Sequence, residues 1–76
     1  MDINYPEENH SPSLTKFESM LRTNNILFFD SNEFENIIHH YLENGKISLA
    51  KKALKLSLDQ HPTSITLQIL KIEILI

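Results

Sequence analysis

Cysteine is missing from all 76 residues, so neither a disulfide nor a thiolate zinc site can hold this chain together. The absence matters at this size, because one core in a chain of about 70–80 residues contributes only a few kcal/mol. Stability has to come from packing and from neighbours. Tryptophan is also absent, and glycine occurs once. That excludes a glycine-rich phosphate loop, and neither a nucleophile motif nor a metalloprotease helix occurs. Positive charge is scarce as well: 7 Lys and Arg against 10 Asp and Glu leave a net charge of −3. A nucleic-acid binder, whose affinity comes from cations on phosphates, needs the opposite balance. No stretch approaches the roughly 20 apolar residues required to cross a bilayer. The opening MDINYPEENHSPS lacks both the basic start and the apolar centre of an export signal. The expectation is a soluble, cytoplasmic protein with no membrane and no nucleic-acid partner.

What is present concentrates between Phe29 and Pro62. Asp30 and Glu33 have the spacing of a capping box, and Phe29 with Phe34 that of a hydrophobic staple. Phe34, Ile37, Ile38, Tyr41 and Leu42 then recur at helical spacing and build one apolar stripe. Asn44-Gly45 stops this helix, since glycine accepts the left-handed conformation common at helix C-termini. A second helix is predicted from Ile47 or Ser48, with Ser48 as its cap. Ala50, Ala53, Leu54, Ser57 and Leu58 share one of its sides. Pro62 ends it, because the residue before proline is pushed away from helical angles.

Phe34-x2-Ile37-Ile38-x2-Tyr41, Gly45 at the turn, Ala50-x3-Leu54, Ser57 and Pro62 together resemble a tetratricopeptide repeat. The likeness spans residues 31–64, one repeat, within a predicted helix pair over 30–64. Phe34 stands where the family usually has Trp, Ile38 where it favours Gly or Ala, and Ser57 where it favours Ala. The resemblance implies an all-α fold, an antiparallel helix-turn-helix. Ala50 and Ser57 allow close approach in it, while Phe34, Tyr41 and Leu54 fill the space between helices.

Around this pair, residues 1–13 are polar and proline-bearing and are predicted to be a disordered leader. Residues 14–29 hold a short N-terminal helix, opened by the Thr15-x-x-Glu18 capping box and carrying Leu14, Phe17, Met20 and Leu21 on one face. A connector follows, with Phe28 or Phe29 expected to tuck beneath the repeat. Residues 65–76 alternate as a strand would, yet also form two helical stripes: Leu67, Leu70 and Ile74, and Ile65, Ile69, Ile72 and Ile76. The resemblance favours the helix. Leu67, Leu70 and Ile74 echo Phe34, Ile37 and Tyr41 at close to the family period of about 34 residues. They are predicted to form a stacking or oligomer surface, and the segment to be the first helix of a following repeat. Two apolar stripes ask for cover on both sides, so the segment is read as the N-terminal part of a longer repeat protein, or as a self-associating module.

Chemistry-bearing residues are few. Glu35, His39 and Glu43, with His40 beside them, share a helical face and could in principle ligate a metal or move a proton. The plainer reading is an exposed face with weak contacts between successive turns. His61 is expected to meet the C-terminus of the second helix, where a cation is favoured. His10 falls in the leader. Lys46, Lys51, Lys52 and Lys55 read as solvated surface, without the aromatics or arginines that strengthen a nucleic-acid patch. No catalytic residue, metal or cofactor is expected. The resemblance implies a protein-interaction scaffold whose first helices line a groove, which maps here to Asn32, Glu35, Asn36, His39 and Glu43. Glu35 and Glu43 give that face the wrong sign for clamping a terminal carboxylate. The partner would be a protein or peptide, with self-association through the C-terminal helix as the alternative.

Overall fold

The computed structural model describes residues 11–75. Among these residues the protein is all-helical: α1 (Pro12–Thr23), α2 (Ser31–Glu43), α3 (Ile47–Gln60) and α4 (Ile65–Leu75). The ambiguous C-terminal segment is therefore a helix, not a strand. Most of the leader, residues 1–10, lies outside the described part.

Local chemistry accounts for each boundary. Helix α1 opens earlier than its Thr15 box predicts: Ser11 Oγ accepts the Leu14 N–H at 3.1 Å, and Pro12 occupies the first turn. Proline suits that position because its missing N–H would be unpaired there anyway. The rest of the leader's predicted span, residues 11–13, thus belongs to the helix and its cap. Glu18 is released from capping and instead accepts the Tyr41 hydroxyl at 3.1 Å. Asn24, with φ of 61°, closes α1 by donating its N–H to the Met20 carbonyl.

Helix α2 has the predicted capping box in full. Asp30 Oδ1 accepts from Glu33 N–H at 2.8 Å, and Glu33 Oε1 accepts from Asp30 N–H at 3.0 Å. The Phe29 and Phe34 rings sit 5.1 Å apart at this entrance. At its other end, Lys46 N–H reaches the Tyr41 carbonyl and Gly45 N–H the Leu42 carbonyl, a Schellman closure. Gly45 makes it with φ of +71°, the left-handed region where a side chain is strained. Helix α3 departs from expectation at its start: Ser48 lies inside the helix, and Lys46, the residue at the cap, makes no side-chain capping bond. Helix α4 is preceded by Ser64, whose Oγ accepts the Leu67 N–H at 3.3 Å.

The turn at 44–46 folds α3 back along α2. Their antiparallel sense is fixed by bonds from the end of α3 to the chain just before α2. Gln60 Oε1 accepts the Phe29 N–H at 3.0 Å, and Gln60 Nε2 donates to the Leu27 carbonyl at 2.8 Å. One side-chain amide thus pairs with an extended backbone as a neighbouring strand would. His61 Nε2 adds a third bond, 2.6 Å to the Phe29 carbonyl; a carbonyl only accepts, so the hydrogen is on Nε2. His61 therefore reaches across to the connector rather than to its own helix end.

Helix α1 lies on α2 in the same sense, tied by Ser13 to Glu33 at 2.8 Å near the start and Glu18 to Tyr41 further along. The connector returns beside it, with Lys16 Nζ donating to the Phe28 carbonyl and standing 4.4 Å from the Phe29 ring centre. One core joins all four helices: Leu14, Phe17 and Met20; Phe29; Phe34, Ile37, Ile38 and Tyr41; Ala50, Ala53 and Leu54; Leu67 and Leu70. Ile38, bulky for its place in the resemblance, is fully buried. Ser57 is also fully buried, its hydroxyl satisfied by the Leu54 carbonyl at 2.6 Å.

Candidate functional site

Among the described residues three surfaces offer chemistry, and two of them are built from residues singled out from sequence. The first is the outer face of α2, opposite the buried stripe of Phe34, Ile37, Ile38 and Tyr41. Asn32, Asn36, His39 and Glu43 are exposed there, and Glu35 is half-buried. They share a helix face, and none of them lines the groove between α3 and α4. His40 does not join them: its ring packs at 5.5 Å against Tyr41. Among the described residues, no three of His, Asp and Glu converge in a way that could hold a metal ion.

The second surface is the outer side of α4. Leu67 and Leu70 are buried in the core and Ile74 is half-buried against it. This stripe is what stacks α4 onto the helix pair, so Leu67 and Leu70 cannot also serve as a free oligomer surface. The stripe left in water is Ile65, Ile69 and Ile72, exposed to 73%, 50% and 59%. The two stripes lie on nearly opposite sides of α4, and packing against the core takes the leucine stripe inside.

The third surface is a groove of about 370 Å³ between α3 and α4, lined by Lys51, Leu54, Lys55, Leu58, Asp59 and Lys71. Leu54 is buried and Leu58 half-buried, so the floor is aliphatic; the lysines and Asp59 are exposed at the rim. Reading the sequence alone dismissed Lys51 and Lys55 as solvated. Their spacing of four, with Leu54 and Leu58 interleaved at the same spacing, was the visible signal. What made it a groove is Lys71, brought alongside from another helix, and no local pattern announces that pairing.

Among the described residues one titratable group is strongly displaced. The Tyr41 phenol is pushed well above its ordinary range, first by burial, then by its hydrogen bond to Glu18 and by that carboxylate's charge. Each cause favours the neutral phenol, which must keep its proton to donate to Glu18. Tyr41 is thus a fastening between α1 and α2. Its ring sits 6.1 Å from Phe17 and beneath the exposed face of α2, away from solvent.

No helix among the described residues is long and apolar enough to cross a membrane. Comparison of the chain with protein-family models, with curated proteins and with solved structures finds no match in any of the three.

Proposed function

We propose that this chain is a non-catalytic protein-interaction scaffold, built as a tetratricopeptide-like helix pair with α4 beginning the next layer. The observation that carries the reading is the division of α4: Leu67 and Leu70 close the core while Ile65, Ile69 and Ile72 stand in water. Leaving such a side chain wet forgoes about 1.5–3 kcal/mol relative to full burial. A contiguous exposed stripe of this kind marks a surface meant to be covered. Supporting it, the hairpin of α2 and α3 buries the residues that carry the resemblance, Phe34, Tyr41, Ala50, Leu54 and Ser57. Gly45 turns between them, and Pro62 separates α3 from α4. Under this reading the outer face of α2 is a polar flank of the scaffold.

The second reading, a self-associating helical module, draws on the same stripe. The two differ in how association ends. A repeat face seeking its next layer pairs with whatever apolar surface is offered and gives weak, open-ended association, whereas a dedicated self-interface is isologous and stops at a closed dimer. Sedimentation velocity over a concentration series separates them. We expect open-ended association, lost without loss of helicity when Ile65, Ile69 and Ile72 are all changed to Ser. Saturation at a dimer would favour the second reading. A chain that stays monomeric at every concentration would remove the stripe as a docking surface and, with it, the support for both.

A further inference from the structure

We infer that the groove between α3 and α4 is a docking site for an acidic, aliphatic-bearing protein segment. This rests on the scaffold reading and gives it a partner chemistry. The chain carries −3 overall, yet three ammonium groups and one carboxylate surround this groove. Lys51 and Lys55 come from α3 and Lys71 from α4, so the charge is assembled by tertiary packing rather than by one solvated helix face. Like charges four residues apart on a helix repel by some tenths of a kcal/mol, a penalty that an anionic guest would relieve. Between these cations the floor is Leu54 and Leu58, which offers an apolar seat. The volume of about 370 Å³ accepts a few side chains rather than a whole helix.

The groove's chemistry discriminates among occupants. A nucleic-acid strand would meet no arginine or aromatic to stack on, and the Asp59 carboxylate at the rim would repel its phosphates. A second copy could bring the exposed acidic face of α2, but Asn36 and His39 lie between Glu35 and Glu43, with no aliphatic side chain for the leucine floor. A peptide with several Asp or Glu residues flanking Leu or Ile satisfies rim and floor together. Its side-chain carboxylates meet three separate lysines, so a free C-terminus is not required.

The test is an array of short synthetic peptides, blocked at both ends, varying independently in acidic and in aliphatic residues, with affinity for the full 76-residue chain read by fluorescence anisotropy. Binding is expected only where both residue types are present, weakening with added salt. Changing the peptide's Glu to Gln, or Lys71→Gln in the protein, should weaken it about tenfold, equivalent to about 1.4 kcal/mol. Binding should persist when Ile65, Ile69 and Ile72 are Ser. The inference is overturned if no peptide binds, if acid-free peptides bind equally well, or if Lys51→Gln and Lys71→Gln leave affinity unchanged. Tighter binding of a single-stranded oligonucleotide would overturn it too, as would peptide binding that disappears with the isoleucines. Sedimentation keeps the two readings apart. Open-ended association without peptide binding removes the groove alone; peptide binding by a monomeric chain removes the isoleucine stripe and its support for either reading, and leaves the groove as the binding surface.

Discussion

Helices α2 and α4 are of similar length and both are rich in isoleucine, yet they do opposite things with it. In α2, Ile37 and Ile38 are buried along with Phe34 and Tyr41, and the far side is polar. In α4, Ile65, Ile69 and Ile72 occupy the outer side, while Leu67 and Leu70, with Ile74 half-buried beside them, take the inner one. The ends differ as well. Helix α2 is fixed by a reciprocal capping box and a Schellman closure; at the start of α4 the Ser64 hydroxyl accepts the Leu67 N–H at 3.3 Å and Gln68 Nε2 donates to the Pro62 carbonyl at 2.8 Å. The contrast teaches that amphipathic pattern and terminal chemistry together make α2 self-sufficient within this chain. Helix α4 is held by one face and leaves Ile65, Ile69 and Ile72 in water on the other.

The largest effect should come from α2. Phe34→Ala removes a fully buried ring that touches Phe29 and His61, and should cost about 3–5 kcal/mol. In a domain this small that amounts to most of the available stability, so urea denaturation and far-UV circular dichroism should show a largely unfolded chain. The sharpest break of the comparison lies within α4. Leu67→Ala should cost about 2–5 kcal/mol, whereas Ile69→Ala should stay within about 0.5 kcal/mol in the isolated chain. A lower denaturation midpoint for Ile69→Ala than for Leu67→Ala would mean that the inner and outer stripes have been exchanged, and equal midpoints would remove the distinction between them.

The caps should differ by less. Asp30→Ala strips α2 of its box and should cost about 1 kcal/mol; Ser64→Ala, which loses one longer bond, should cost less than that. A calorimetric series that ranked them the other way would undo the distinction between anchored and lightly held helices. Smallest near neutrality is the Tyr41 effect. Its phenol titrates higher when folded than the value near 10 of a free tyrosine. The folded state therefore holds the proton more tightly. That stability is complete below about pH 10 and is lost as pH rises toward the folded value. Tyr41→Phe should flatten this alkaline decline, at the cost of one hydrogen bond to Glu18. An identical decline in both proteins would assign it to other groups.

The helix pair was legible because its information is local. Asp30 and Glu33, Phe29 and Phe34, and Gly45 announce themselves within a few residues of where they act. The start of α1 was misplaced because two capping sequences overlap, and Ser11 before Pro12 outcompetes Thr15: proline at the first helical position is already shaped for the helix. Ser48 failed as a cap for a related reason, since the Schellman closure fixes the chain through Lys46 and winds the helix from Ile47. In α4 the two stripes were visible, but which one faces inward depends on α3. The lysine groove was the least legible, because Lys71 meets Lys51 and Lys55 only after the fold has formed.

The grip of Gln60 on Leu27 and Phe29 also sets the mechanics of the molecule. A load applied at α4 reaches α3 at its final turn, the very turn whose side chain grips the chain entering α2. Tension is therefore handed from the last helix to the root of the second without passing along the hairpin bend. Under force α4 and the pair of α2 and α3 should yield together, rather than peel one after the other.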